Sequence, residues 1–117
     1  MKTVTRHIDC LGINVDFIVG GNAQENHDMI DAADPNDLWF HVAGVPSCHV
    51  IGKIPKDTVL DSKELRKIAK QGAVVCKEMS GCKKIKNVTI DWTKIKYVSK
   101  TDAAGSVSIT NARQVVV

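Results

Sequence analysis

Two histidines, His41 and His49, have the spacing of residues that could act together. They lie in the stretch "DLWFHVAGVPSCHVIGK", where two short apolar runs flank a Gly-Val-Pro-Ser turn. This pattern predicts a β-hairpin. A register that pairs the two histidines would bring their Cβ atoms within about 5 Å on one face, and a one-residue slip would place them on opposite faces. The sequence alone leaves both registers open.

Neither a metal site nor a catalytic dyad is favoured for these histidines. A metal would need a third and a fourth ligand, and the neighbouring Cys48 would point to the opposite face of its strand. Hydrogen bonds from the rings to the backbone, or to a carboxylate such as Asp28 or Asp37, satisfy the same side chains more simply. We therefore expect structural histidines, no bound metal or other cofactor, and no enzymatic activity.

The four cysteines form no recognised metal or redox motif, since the chain has no C-x-x-C pair. We expect free and mostly buried thiols, which are typical of a reducing compartment. The first residues lack the apolar core of a secretory signal, and no charge-free stretch is long enough to span a bilayer. These features predict a cytoplasmic protein that has no membrane segment.

Charge is distributed unevenly along the chain. The net charge is +3, but residues 1–61 contain four Lys and Arg against nine Asp and Glu, whereas residues 62–117 contain twelve against four. The basic second half is the part expected to meet an anionic polymer. No P-loop, nucleophile elbow or H-E-x-x-H motif is present, and the Gly20-Gly21 pair precedes acidic residues that would repel a phosphate.

The basic residues of the second half fall in two groups that could contact nucleic acid. One group lies along the polar face of a predicted long helix, and the other follows it with Trp92 and Tyr97 interleaved, which supplies rings for base stacking. If their segment is extended, Lys94 and Lys96 share one strand face. A solvated lysine face is the alternative interpretation. The predicted contacts are Lys63, Arg66, Lys67, Lys70, Lys77, Lys83, Lys84, Lys86, Lys94, Lys96 and Lys100.

The long helix is the clearest element of the sequence. Asp61 and Glu64 have the spacing of a capping box, and the amphipathic pattern that follows ends near Gly81. Gly72 falls in the middle of the apolar face, where it costs about 1 kcal/mol of helix stability relative to alanine. We expect Gly72 to allow a close approach of this helix to a sheet.

The remaining pattern predicts a short helix and several strands. Asn22 and Glu25 have the capping spacing that introduces a helix from about Ala23 to Ala32. A first hairpin turns at Leu11-Gly12, the histidine hairpin follows, and "NVTIDWT", "KYVSK", "GSVSIT" and "QVVV" are predicted as later strands. We expect a single α+β domain over residues 1–117, in which a largely antiparallel sheet of about six strands packs with one long amphipathic helix and one short helix.

Three motifs in the first half resemble a known family. The strings G-x-x-x-x-E-N-x-D-x-I at Gly20 to Ile30, P-x-D-L-W-F-H-V at Pro35 to Val42 and P-S-x-H-V at Pro46 to Val50 are similar to those of the NFACT-R domain of ribosome-quality-control factors. The likeness extends from about Gly12 through the long helix, "NVTIDWT" and "GSVSITN". The residues that match the family motifs are Asn26, Asp28, Asp37, Trp39, His41 and His49.

This resemblance implies a non-catalytic RNA-binding module, with tRNA or ribosomal RNA as the ligand and ribosome-associated proteins as further partners. It also implies that the motif histidines shape the fold or its surface. Because the chain lacks the coiled coil and the N-terminal domain of the large factors, we expect a standalone adaptor. The alternative from a different class is a protein-interaction domain that docks to a ribosomal or quality-control partner through its acidic first half.

Overall fold

The computed structural model describes all 117 residues and confirms the α+β fold, an antiparallel sheet with one long and one short helix. A 3-10 turn at Ile95–Tyr97 leads from the fifth strand to the sixth. No helix is both long and apolar enough to cross a membrane. In chain order the elements are β1 (Lys2–Ile8), β2 (Ile13–Gly20), α1 (Ala23–Ala32), β3 (Leu38–Val42), β4 (His49–Lys53), α2 (Ser62–Met79), β5 (Thr89–Lys94), β6 (Val98–Lys100), β7 (Val107–Ile109) and β8 (Arg113–Val116).

Six strands form one sheet in the order β1-β2-β4-β3-β5-β8. Every neighbouring pair in it is antiparallel. β6 and β7 pair only with each other, as a separate two-stranded ribbon. Because β3 and β4 are the central strands, the histidine hairpin lies in the middle of the sheet and not at an edge.

Helix α2 covers one face of the sheet and buries most of the hydrophobic core. Its residues Ile68 and Val75 pack with strand residues that include Phe17 and Phe40. Gly72 lies directly over the Phe40 ring, so close that a Cβ atom at Gly72 would stand 2.2 Å from Cζ of that ring. The prediction that Gly72 allows a close approach of the helix to the sheet is therefore confirmed.

Helix α1 and the β6–β7 ribbon lie on the opposite face. Met29 and Ile30 of α1 pack there with Trp39 and Ile51 of the sheet. Trp39 and Phe40 are neighbours in β3, and side chains alternate between the two faces of a strand. β3 consequently contributes one large aromatic side chain to each face.

The two helices begin differently. At α2, the Asp61 and Glu64 carboxylates each accept a hydrogen bond from the other residue's backbone N–H, which confirms the predicted capping box. At α1, Asn22 Oδ1 accepts from the backbone N–H of Glu25, but the Glu25 carboxylate accepts from the N–H of Gly21. The box predicted at Asn22 is thus only half formed, because the Glu25 side chain reaches one residue further back along the chain.

Candidate functional site

The β3–β4 hairpin holds the two histidines side by side. Its register pairs Trp39 with Ile51 and Phe40 with Val50, so continuing it places His41 opposite His49. The two ring centroids are 5.1 Å apart and the ring planes are nearly perpendicular, at 89°. Of the two registers that the sequence allows, the structure has the one that puts both rings on the same face.

Trp39 is the third member of this cluster. Its indole Nε1 donates a hydrogen bond to His49 Nδ1 at 3.2 Å, and its ring stacks on that of His41 with 5.7 Å between centroids and 3° between planes. The expectation of Asp28 or Asp37 as a hydrogen-bond partner of the histidines is wrong. Residues two apart share one face of a strand, so Trp39 lies beside His41 and reaches His49 across the hairpin.

Asp37 and Asp28 make other hydrogen bonds. Asp37 is 1% exposed, and its carboxylate accepts from Lys53 Nζ and from the backbone N–H groups of two nearby residues. These bonds tie the start of β3 to the end of β4. Asp28 lies on the exposed side of α1, where it accepts from Gln24 Nε2 at 2.8 Å. The two motif carboxylates therefore stabilise local structure.

Both histidines are held in the neutral form. Burial, together with the nearby His41 and His27, lowers the pKa of His49 to about 4. Burial also lowers the pKa of His41. An indole N–H can only donate, so Nδ1 of His49 is the acceptor and the ring proton is on Nε2. At neutral pH the pair offers hydrogen-bonding groups without positive charge.

A cleft of about 1080 Å³ opens beside the histidines, between the start of α1, the β3–β4 loop and the turn that joins β6 to β7. Asn26 lines this cleft and is only 8% exposed, and its Oδ1 atom has no hydrogen-bond partner. The Asn26 amide lies against Gly20, where a Cβ atom would stand 2.3 Å from Oδ1. Because Gly20 pairs with His49 across the sheet, Asn26 and His49 share one end of the cleft.

Three of the four cysteines converge on Ser80, which also lines the cleft. Cys48 Sγ lies 3.1 Å and Cys76 Sγ 3.9 Å from Ser80 Oγ, and Cys82 Sγ lies 3.7 Å from the Ser80 carbonyl oxygen. All four cysteines are free, as predicted, but only Cys76 is fully buried, so the expectation of mostly buried thiols is wrong. Hydrogen bonds from Cys76 and Ser80 lower the pKa of the Cys48 thiol.

The basic stripe that the sequence predicts on the long helix lies on the exposed side of α2. Lys63, Arg66, Lys67 and Lys70 are exposed, and the ion pairs of the protein involve other side chains. Lys77 is half-buried and its Nζ donates to the carbonyl oxygen of Val117 at 3.1 Å. Four cations of this helix are therefore free to meet an anion.

A second basic group occupies the turn between α2 and β5. We call it the basic turn; it consists of the exposed residues Lys83, Lys84 and Lys86. The turn begins just after Ser80, which lines the cleft. It ends at Thr89, whose carbonyl oxygen accepts from the N–H of Ala43 directly after β3. The basic turn and the cleft thus lie at the same end of the molecule.

The remaining predicted contacts lie elsewhere. Lys94 ends β5 and Lys96 belongs to the 3-10 turn. Their segment is therefore not extended, and the condition under which the two lysines would share a strand face is not met. Lys96 Nζ lies 5.3 Å from the centroid of the Tyr97 ring. Lys100 forms an ion pair with Asp31 at 2.6 Å, which largely neutralises its charge.

Arg113 is a basic residue outside the set of predicted nucleic-acid contacts. It pairs with Trp92 across β5 and β8, and its guanidinium carbon lies 5.6 Å from the centroid of the Trp92 ring. Together with Lys94 and Tyr97 it lines a smaller cleft of about 430 Å³. A pairing between strands this far apart in sequence leaves no local signal by which it could be found.

Comparison with known proteins matches the chain to one family. The family model of the NFACT protein RNA binding domain matches residues 12–111. Coiled-coil domain-containing protein 25 from Danio rerio is 33% identical over 89 residues, which is 71% of this chain and 40% of that protein. The Bacillus subtilis (strain 168) protein described as Rqc2 homolog RqcH is 26% identical over 89 residues, or 75% of this chain and 14% of that protein.

A solved structure shares the fold. It is the C-terminal part of the fibronectin/fibrinogen-binding protein from Streptococcus suis, with a TM-score of 0.73 and 22% sequence identity. The similarity covers 88% of this chain and 41% of that chain. The chain spans 40% of the length of the coiled-coil domain-containing relative.

Proposed function

The chain belongs to the NFACT RNA-binding domain family, and from this premise we propose that it binds RNA through the free cations of α2 and the basic turn. The observation that carries this proposal is the set of exposed basic side chains that begins at Lys63 and continues past the end of α2 to Lys86, none of which pairs with a carboxylate. Cations of this kind replace the counterions of a phosphate backbone, and the released counterions favour binding.

We further propose that the ligand is tRNA or ribosomal RNA, that the protein acts in the cytoplasm in ribosome quality control or translation, and that it does so without catalysis. The similarity to the protein described as Rqc2 homolog RqcH supports this assignment. Contacts with phosphates carry little sequence information. The α2 and basic-turn cations are therefore expected to set affinity and not sequence preference.

A salt titration of binding tests the proposal. Fluorescence anisotropy with tRNA, single-stranded RNA and DNA should show affinity that falls steeply between low and moderate salt. Reversal of the basic turn to glutamate (K83E/K84E/K86E) should reduce the slope of log affinity against log salt by roughly 2 to 3, since each lost phosphate contact contributes about 0.7 to 0.9. The His41→Asn variant should lose less affinity than this triple variant.

A charge-matched control distinguishes binding through this surface from a general effect of net charge. Lys84→Glu and Lys56→Glu change the net charge equally, and both positions are exposed, but Lys56 lies in the loop that leads from β4 into α2, outside the proposed surface. K84E is expected to weaken RNA binding more than K56E. Affinity that does not change with salt, or equal losses in the two variants, would contradict RNA binding through this surface and favour a protein-docking adaptor.

A further inference from the structure

We propose that the cleft between α1 and the β3–β4 hairpin binds an unpaired nucleobase, which stacks on His41 and forms hydrogen bonds with Asn26 and His49. This inference rests on the proposed RNA binding and adds a site that distinguishes a base from the backbone. The basic turn at the same end of the molecule would hold the phosphates on either side of that base.

The first observation is two polar side chains, Asn26 and His49, that each keep one atom without a hydrogen-bond partner in the protein; of these two atoms, Asn26 Oδ1 is buried. Asn26 Oδ1 has no hydrogen-bond partner, although Asn26 is more than nine-tenths buried. His49 is 4% exposed; Trp39 occupies its Nδ1, which leaves the Nε2 proton as a donor in a ring that lines the cleft. Buried polar groups without partners are rare in folded proteins. The Asn26 amide and the His49 ring line one cleft, and groups of these types match the donors and acceptors on the edge of a nucleobase.

The second observation is a stacking surface. The His41 ring lies parallel to Trp39 and perpendicular to the His49 ring, with 5.1 Å between the two histidine centroids, so two neighbours hold the ring in a fixed orientation. His41 is only half-buried, and it lines the cleft together with Asn26 and His49. A fixed, half-exposed aromatic ring is the surface on which proteins stack the bases of single-stranded RNA.

The charges of the cleft favour a base over a phosphate. A helix N-terminus can hold an anion through free N–H groups, but at α1 the N–H of Gly21 already bonds to Glu25, and the N–H of Glu25 bonds to Asn22. The Glu25 carboxylate pairs with the Met1 ammonium group at 2.8 Å, so these two charges offset each other. The neutral His41 and His49 add no positive charge, which leaves Lys2 as the one lysine or arginine that lines the cleft. A neutral ligand therefore fits the cleft, and the anionic part of the same RNA fits the basic turn.

An RNA ligand that lacks its bases but keeps the same backbone charge tests this inference. Anisotropy titrations would compare a single-stranded RNA oligonucleotide with an abasic ribose-phosphate oligomer of the same length. The intact RNA is expected to bind the wild-type protein roughly fivefold or more tightly, the lower end of what one stacked base contributes. The His41→Ala variant should bring this ratio close to one, and His41→Phe, which restores a ring, should recover it. Thermal unfolding of each variant checks that the fold is intact.

Two control variants separate the site from the rest of the surface. K83E/K84E/K86E should weaken both oligomers and leave their ratio high, and Tyr97→Ala, which removes a ring at the other end of the molecule, should leave the ratio unchanged. Equal binding of intact and abasic RNA by the wild type, or a ratio that His41→Ala does not alter, would overturn the base site while RNA binding stands. Binding of neither oligomer would overturn the proposed function itself.

Discussion

The two faces of the sheet differ in what they bury. On the α2 face the core is apolar throughout, and it is packed so tightly that only glycine fits at position 72 above Phe40. On the α1 face a smaller apolar cluster around Trp39 lies beside His41, His49 and a cleft of about 1080 Å³. The boundary between the two environments runs between Trp39 and Phe40, which are neighbours in one strand.

This difference shows that the tightly packed core and the polar cleft lie on opposite faces of a single sheet. Tight apolar packing gives the α2 face its share of the folding free energy, since each large buried side chain contributes a few kcal/mol. The α1 face tolerates a polar atom without a partner at Asn26, which costs free energy of folding. Unsatisfied buried groups are rare in folded proteins, so the Asn26 oxygen marks the cleft as the unusual part of this face.

The largest expected effect is the loss of packing at Phe40. Phe40→Ala should lower the free energy of unfolding by about 3 to 5 kcal/mol, as is typical for a fully buried phenylalanine. Phe40 is 0% exposed, and it also meets Phe17 edge-on with 6.1 Å between ring centroids. Urea unfolding at constant pH measures the change. A loss below about 1 kcal/mol would show that the α2 face does not dominate stability.

Gly72 provides the matched test of the same contact. Gly72→Ala should destabilise the wild type by about 1 to 3 kcal/mol through overpacking, although alanine is the better helix former by about 1 kcal/mol. In the Phe40→Ala background, where the ring is gone, Gly72→Ala should become neutral or stabilising. Additive effects of the two substitutions in a double-mutant cycle would show that the ring and the glycine do not interact.

The sequence predicts the α2 face well, because its signals are local. The apolar spacing of α2, the Asp61–Glu64 capping box and the position of Gly72 all follow from residues within a few turns of one helix, and the structure contains each of them. The strand patterns are equally local, and each predicted strand is present, although the one predicted over "KYVSK" begins only at Val98, after the 3-10 turn. The capping box predicted at Asn22 differs from the structure by a single hydrogen bond, since spacing alone does not determine which N–H the glutamate will reach.

The α1 face and the candidate site are harder to predict because they depend on pairings between distant segments. The pairing of β3 with β4 decides which histidine register forms. The hydrogen-bond partner of His49 is Trp39, which the sequence marks only as a residue that matches a family motif. The family motifs include Asn26 and His49, but they do not predict that the two residues line one cleft. The glycine at position 20 is visible in the sequence, but only the structure shows that a side chain there would collide with Asn26.

A further prediction concerns acid and the α1 face. The folded pKa of His49 is about 4, and that of an unfolded histidine is about 6.5. The unfolded chain therefore binds more protons between these values, so stability should be full above about pH 6.5 and should be lost as the pH falls towards 4, by up to about 3 kcal/mol. His41, whose pKa is also lowered, acts in the same direction. Urea unfolding from pH 8 to pH 4 measures the loss.

The His49→Gln variant isolates this contribution from that of the carboxylates. Glutamine keeps an acceptor for the Trp39 indole N–H but does not titrate. Between pH 6.5 and pH 4 the variant should lose less stability than the wild type. If the free energy of unfolding falls equally with pH in the variant and the wild type, then burial on the α1 face does not hold His49 neutral.

The smallest expected effect compares a paired lysine with a free one. Lys100 and Asp31 form an exposed ion pair across β6 and α1 at 2.6 Å, and such pairs contribute about 0 to 1 kcal/mol to stability. Lys100→Ala should therefore change unfolding very little. It should also weaken RNA binding less than Lys84→Ala, because Asp31 already offsets the charge of Lys100 whereas Lys84 has no acidic partner.

Removal of the acidic partner of Lys100 tests the same comparison between a paired and a free lysine. Asp31→Asn removes the negative charge, so Lys100 becomes available to phosphates and affinity for RNA should rise slightly at low salt. The gain should disappear at moderate salt, since exposed charges are screened there. If Lys100→Ala instead weakens binding as much as Lys84→Ala, then RNA displaces Asp31 from Lys100. The proposed RNA surface would in that case extend from the α2 cations and the basic turn to the β6–β7 ribbon, where Lys100 ends β6.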